Sequence, residues 1–358
     1  MPATQRDVCA PTGRRAGPRE AADPDLAGLA AGGLGAAGRV RPTAGRGAAT
    51  DRRPAQPVPG PTCTIARVDL GASDYALLDF GMGRRLDRFG TVIVDRPASG
   101  AADVPLLDPG AWTMALARFG RAASADDLAG WESADALPPS WEVVIDGVRM
   151  ELRPTPAGQV GLFPEHAEPA AWAAERARTI GARLARPLEV LNLFAYTGLA
   201  TLALARAGAR VTHVDASRPA VAWARRNASG AGLADAPVRW IVEDARDFVA
   251  REARRGRGYD AVVLDPPTYG HAPHRGAAWR MESDLADLLS GCAALTGRAP
   301  AFFVLTAHTA GLAAAELRSR VAAAFGEELA SGAEVVALGV RRPDGRQLPA
   351  GFAIRWGA

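Results

Sequence analysis

The sequence predicts an α/β protein with a doubly wound, Rossmann-like sheet of seven strands, and three observations carry that prediction. From residue 169 onward, short apolar runs alternate with segments of helical length and period. The apolar runs are unbroken, as in parallel strands buried on both faces. The chain is also long, 358 residues of which 48% are hydrophobic, enough for more than one unit and a sizeable core around an internal site.

In chain order, residues 1–60 are rich in Ala, Gly, Pro and Arg without periodicity, and read as a disordered extension. Residues 61–168 read as a small, mainly β domain. Strands 75–80 and 91–94 there flank a Gly-rich turn, and strands 141–145 and 148–152 flank Asp146-Gly147, a hairpin signal. Residues 169–358 supply the alternating part. Helix 169–185 leads to strand 189–194, then helix 198–208, strand 210–214, helix 217–231 and strand 238–242. Helix 245–256, strand 259–264, helix 282–295, strand 301–305 and helix 311–325 follow. Strands 334–339 and 351–356, joined through Pro343-Asp344-Gly345, read as an antiparallel hairpin at the sheet edge. A ligand is expected in the crevice at the strand C-termini.

Composition narrows the function classes. All 42 basic residues are Arg, a bias shared with the Ala, Gly and Pro content, so Arg abundance carries little functional weight. Residues 1–60 hold nine Arg against five acids, whereas the whole chain is +3. The basicity therefore belongs to the extension, and the remainder is close to neutral. Cys9, Cys63 and Cys292 form no CxxC or Cys/His spacing, so neither a disulfide framework nor a metal site is expected. No signal peptide or membrane span is expected either, since the charge-free stretch 190–205 is short and polar-interrupted. The expectation is a cytoplasmic protein.

Three strand ends carry unusual residues. The first is Phe194-Ala195-Tyr196-Thr197-Gly198, a strand passing through small residues into a helix. Such a turn aims N–H groups and a helix N-terminus at a ligand, or simply packs tightly. The second is Asp215, which can accept both hydroxyls of a ribose or cap the next helix; Asp244 has the same two readings. The third is Asp265-Pro266-Pro267-Thr268-Tyr269. Its prolines keep the backbone extended and leave carbonyls without competing donors, while Tyr269 offers a stacking face. A nicotinamide dehydrogenase fits poorly, because the first turn is not GxGxxG.

The runs VLNLFAYTG, VTHVDAS, YDAVVLDPPTYG and GQVGLFPEH resemble class I S-adenosylmethionine-dependent methyltransferases. Over residues 69–358 the chain is similar to the family containing the large-subunit ribosomal RNA cytosine-5 and guanine-N7 enzymes, in a short form without a PUA module. The resemblance implies S-adenosylmethionine as cofactor. It implies that Phe194, Ala195, Tyr196, Thr197 and Gly198 surround the methionine end and that Asp215 binds the ribose. Asp244 would then contact the adenine amino group, with Ala216 and Ala245 beside the ring and Asp265 near the sulfonium. Residues 161–166 resemble a loop closing over the cofactor, with His166 where many relatives have Gln.

Cytosine-5 chemistry requires a Cys nucleophile. Cys292 falls within a predicted helix away from the strand ends, and the fifth strand ends Leu305-Thr306-Ala307-His308. The Asp-Pro-Pro-Thr-Tyr segment instead resembles methyltransferases acting on nitrogen, which makes Asp265, Pro266 and Tyr269 the candidate catalytic residues and an RNA base the expected acceptor. A protein side-chain amide, a small molecule, and a non-catalytic cofactor-binding protein are the alternatives. His271, His274 and His308 are candidate proton acceptors or phosphate contacts. Arg251, Arg254, Arg255 and Arg257 are either an RNA-facing run or a solvated helix end.

Overall fold

The computed structural model describes residues 64–65, 74–120, 128, 130–270, 278–309 and 312–357. The expected extension 1–60 lies outside the described residues, as do His271 and His274. After β1 (Thr64–Ile65) come β2 (Tyr75–Gly81), β3 (Arg84–Phe89), β4 (Val92–Pro97), β5 (Ala117–Phe119) and β6 (Trp131–Glu132). Strands β2 to β6 form one sheet in chain order, antiparallel except between β4 and β5.

Strand β3 occupies the stretch expected to be a turn. Its charges hid it, because Arg85 and Asp87 point inward instead of to water. Asp87 is fully buried and accepts from Tyr75 Oη at 2.6 Å, Arg85 Nε at 3.0 Å and Arg96 Nη2 at 2.7 Å. Arg96 also donates to Gln159 Oε1 at 3.2 Å, tying this sheet to the segment that precedes the first long helix. The hairpin of β7 (Trp141–Ile145) and β8 (Val148–Leu152) forms as expected. Asp146 and Gly147 both adopt left-handed φ, 48° and 74°, as a two-residue hairpin turn requires.

The remaining elements are α1 (Ala167–Leu184), β9 (Glu189–Leu193), α2 (Leu199–Arg206), β10 (Arg210–Asp215), α3 (Arg218–Gly230), β11 (Val238–Val242) and α4 (Ala245–Arg254). They continue with β12 (Ala261–Leu264), β13 (Tyr269–Gly270), β14 (Trp279–Arg280), α5 (Met281–Leu295), β15 (Phe302–Ala307), α6 (Ala314–Phe325), α7 (Glu327–Gly332), β16 (Glu334–Arg341) and β17 (Gln347–Gly357). The main sheet has the order β1-β16-β17-β15-β12-β9-β10-β11. All seven expected strands are present, and Thr64–Ile65 adds an eighth beside β16. The C-terminal hairpin is antiparallel, with β17 between β15 and β16. Helix α7 and the short ribbon β13–β14 were not anticipated.

The central strands are buried on both faces. Leu191, Leu193, Val262, Leu264, Phe303 and Leu305 pack with α4, α5 and α6. The alternate residues Val190, Val263, Phe302 and Val304 pack with α1 and α2. The β2–β8 region shares a third cluster with Leu199, Leu202 and Ala228 of α2 and α3 and with Val340 and Leu348 of the hairpin. Among the described residues no helix is long and apolar enough to cross a membrane.

Removing one member of a buried ion network leaves the others uncompensated, at about 3–5 kcal/mol. Asp87→Asn is therefore expected to lower unfolding stability by about that amount in urea melts, while Asp135→Asn on an exposed 3-10 turn changes it by less than about 0.5 kcal/mol.

Candidate active site

Register brings the three singled-out strand ends to one edge. Leu193 pairs with Val214 on one side and Leu264 on the other, and Leu264 pairs with Leu305. The residues that follow, Phe194, Asp215, Asp265 and Thr306, thus leave the sheet side by side. The crevice lies where the strand order reverses, between β9 and β12, as expected for a doubly wound sheet.

The 194–198 turn is strained. Phe194, Tyr196 and Gly198 have φ of 55°, 48° and 97°, and each non-glycine residue there costs about 1–3 kcal/mol. Several hydrogen bonds hold the conformation. Ala195 N–H reaches Val214 O at 3.1 Å, and Tyr196 N–H reaches Asp215 Oδ2 at 2.8 Å. Thr197 Oγ1 donates to Gly161 O at 2.6 Å, and Asn227 Nδ2 donates to Thr197 O at 2.8 Å. Gly198 begins α2 without a side-chain cap, so the first-turn N–H groups are open to a carboxylate.

Asp215 is not a helix cap. Ser217 caps α3 by accepting from Ala220 N–H, while Asp215 Oδ1 accepts from Ser217 N–H at 2.8 Å. Each Asp215 oxygen takes one backbone donor and keeps a lone pair for a hydroxyl. Burial pushes this carboxyl above its ordinary value, against the pull of the two N–H groups. Asp244, in contrast, takes the capping role: Oδ1 accepts from Arg246 N–H at 2.8 Å, and Oδ2 pairs with Arg246 Nη2 at 2.9 Å. Ala216 and Ala245 lie beside these two acids on the same edge.

At the third strand end, one expectation needs correcting. Pro267 O is claimed by Trp279 Nε1 at 2.6 Å, because the β13–β14 ribbon folds Trp279 back under the prolines. Among the described residues, the Pro266 carbonyl is the one left for an acceptor. Tyr269 sits in that ribbon with the Arg280 guanidinium 5.9 Å from its ring centroid.

Asp265 is gripped by three side chains from two segments, the end of β15 and the residues before α1. Thr306 Oγ1 donates to Oδ1, His308 Nε2 lies 3.2 Å from Oδ1, and His166 Nε2 lies 3.4 Å from Oδ2. Burial would push Asp265 up, but the two imidazoles outweigh it and hold the carboxyl well below its usual range. Burial lowers His166. For His308 burial also pulls down, yet the Asp265 carboxylate wins and raises it to about 9.

The sequence did not single out Glu165, Thr306 or the aromatic wall beside the turn. Tyr196 has Phe163 at 5.5 Å and Trp223 at 6.5 Å, centroid to centroid. Long-range partners of this kind leave no local signal. Of the basic run, Arg251 pairs with Glu243 and Glu252, and Arg255 with Glu252. Those two cations are therefore engaged within the fold. Cys292 is fully buried on α5, its thiol pushed up to about 12 by burial.

The sequence profile described as S-adenosylmethionine-dependent methyltransferase matches residues 110–291, half of the chain. A solved S-adenosylmethionine-dependent methyltransferase from Agrobacterium tumefaciens is 35% identical, with a TM-score of 0.72 over 83% of this chain and 93% of that one. This chain belongs to the S-adenosylmethionine-dependent methyltransferase family. It is an enzyme of that class with S-adenosylmethionine as cofactor, and the strained turn with Asp215 beside it suits such a ligand. A further methyltransferase structure, solved with SAH, shares the fold at 14% identity and a TM-score of 0.60. Among curated proteins, the methyltransferase is similar to ribosomal RNA large subunit methyltransferase K/L. It is 30% identical to that of Shewanella frigidimarina over 40% of this chain and 36% identical to that of Stutzerimonas stutzeri over 41%. The chain spans about a fifth (19%) of the length of each.

Gly161 joins the 161–166 segment to the turn. Its φ is +91°, and an added Cβ would lie 2.3 Å from Trp223 Cζ2. Gly161→Ala is expected to destabilise the protein by about 1–3 kcal/mol, seen as a lower Tm. Gly208→Ala, with nothing within 4 Å of the new Cβ, separates the close approach from the left-handed backbone common to both sites and should cost less.

Proposed function

We propose that the methyltransferase places a methyl group on a base nitrogen of ribosomal RNA, with Asp265, Pro266 and Tyr269 on the acceptor side. The observation carrying this reading is the Asp265-Pro266 end of β12, set one strand from the cofactor turn. S-adenosylmethionine supplies the electrophilic methyl group on its sulfonium. The Asp265 carboxylate and the Pro266 carbonyl accept from a planar N–H donor, which fixes the nitrogen lone pair in line for displacement. Tyr269, with Arg280 near its ring, offers a face to a base turned out of its stack. The same reading gives Phe194, Ala195, Tyr196, Thr197 and Gly198 the methionine end and Asp215 the ribose. Asp244, Ala216 and Ala245 take the adenine, and 169–358 form the catalytic unit behind a small β unit, 61–168.

A carbon-5 mechanism lacks its nucleophile among the described residues, since Cys292 is buried in α5 with its thiol raised to about 12. The K/L relatives, named for ribosomal RNA, favour RNA over the amide and small-molecule alternatives.

Modification-free, in vitro transcribed large-subunit ribosomal RNA incubated with methyl-labelled cofactor should become labelled, and nucleoside digestion should return an N-methylated base. Asp265→Ala should reduce kcat on the order of 100-fold while still binding cofactor. Labelling that appears only on protein or small molecules, or a fully active Asp265→Ala, would overturn the proposal.

A further inference from the structure

The two imidazoles around Asp265 have a feature that methyl transfer alone does not use. His308 donates from Nδ1 to Ala350 O on β17, which fixes the ring and directs Nε2 at the carboxylate. Nε2 is buried and lies 3.2 Å from Asp265 Oδ1. A second proton on the ring makes that contact an ion pair, and an ion held between Nε2 and the carboxylate would take that proton's place.

His166 Nε2 converges on the other oxygen of the same carboxylate. The three ligand atoms lie within 4.8 Å of one another. Zinc–nitrogen bonds of about 2.0–2.1 Å place tetrahedral ligands about 3.4 Å apart, close to the two imidazole–carboxylate distances. The surroundings are those of an ion site. Ala350 O orients His308 and Thr306 Oγ1 orients Asp265, as outer-shell groups orient metal ligands. Glu165, next to His166, has a buried oxygen without a hydrogen bond, Oε2, with Arg85 Nη1 3.7 Å from it.

We propose that His166, Asp265 and His308 form a binding site for one divalent transition ion of the zinc or iron(II) class. Two imidazole nitrogens and one carboxylate suit such ions, whereas magnesium and calcium prefer all-oxygen shells. Three protein ligands leave coordination positions open for an oxygen of the methyl acceptor. That last role rests on the methyl-transfer reading above. The ion site itself does not.

The test uses the full chain, stripped with a chelator, dialysed and titrated with Zn2+ by calorimetry, with Co2+ substitution followed by visible absorption. One ion per chain is expected, with cobalt bands of a nitrogen/oxygen site. His166→Ala and His308→Ala should each weaken binding at least about tenfold, the loss typical even of outer-shell changes. Binding of S-adenosylmethionine by each variant checks that it is folded and keeps the cofactor assignment separate from the ion. Absence of stoichiometric Zn2+ binding to the folded wild type would overturn the proposal and leave a proton as the bridging cation. So would binding that survives both substitutions or is lost in His271→Ala/His274→Ala.

Discussion

The register of β9 against its two parallel neighbours is the constraint on which the rest depends. Because Leu193 is level with both Val214 and Leu264, the segments beginning at Phe194, Asp215 and Asp265 leave the sheet at one height, where the strand order reverses between β9 and β12 and a doubly wound sheet opens a crevice. Burial of the strands on both faces locks that register. A one-residue slip would exchange the residues packed against α4, α5 and α6 with those packed against α1 and α2. The strain at Phe194 and Tyr196 is sustained because Asp215, Gly161 and Asn227 hold the turn from three different elements.

The smaller β region is coupled to the site and is not a passive attachment. Its core runs into α2, α3 and the C-terminal hairpin. A line of buried charge passes from Arg96 and Asp87 through Arg85 to Glu165, the residue before His166. The hairpin contributes from the opposite side, with Ala350 O fixing His308. The two imidazoles beside Asp265 are thus tied to the N-terminal sheet through Glu165 and to the last hairpin through Ala350. The depressed Asp265 carboxyl comes from those imidazoles, outside its own strand.

Much of this was legible because it is written locally. Unbroken apolar runs gave the central strands, Asp146-Gly147 gave the hairpin, and a strand end followed by Gly198 or by two prolines marked the crevice. The features that escaped depend on partners distant in sequence. Strand β3 reads as a charged turn until Tyr75, Asp87 and Arg96 are seen to neutralise one another inside the sheet. Asp215 and Asp244 look equivalent in sequence, and only Ser217 and Arg246 separate the free acceptor from the helix cap. His166, Asp265 and His308 come from three separate segments with no metal-ligand spacing, so only the fold brings them together.

Calorimetric titration of the full chain with S-adenosylmethionine, wild type beside Asp215→Ala, tests the central claim most directly. The account predicts saturable one-site binding that weakens about tenfold or more in the variant, as for loss of hydrogen bonds to a charged acceptor. Equal binding by both proteins would place the cofactor away from this edge and contradict the account.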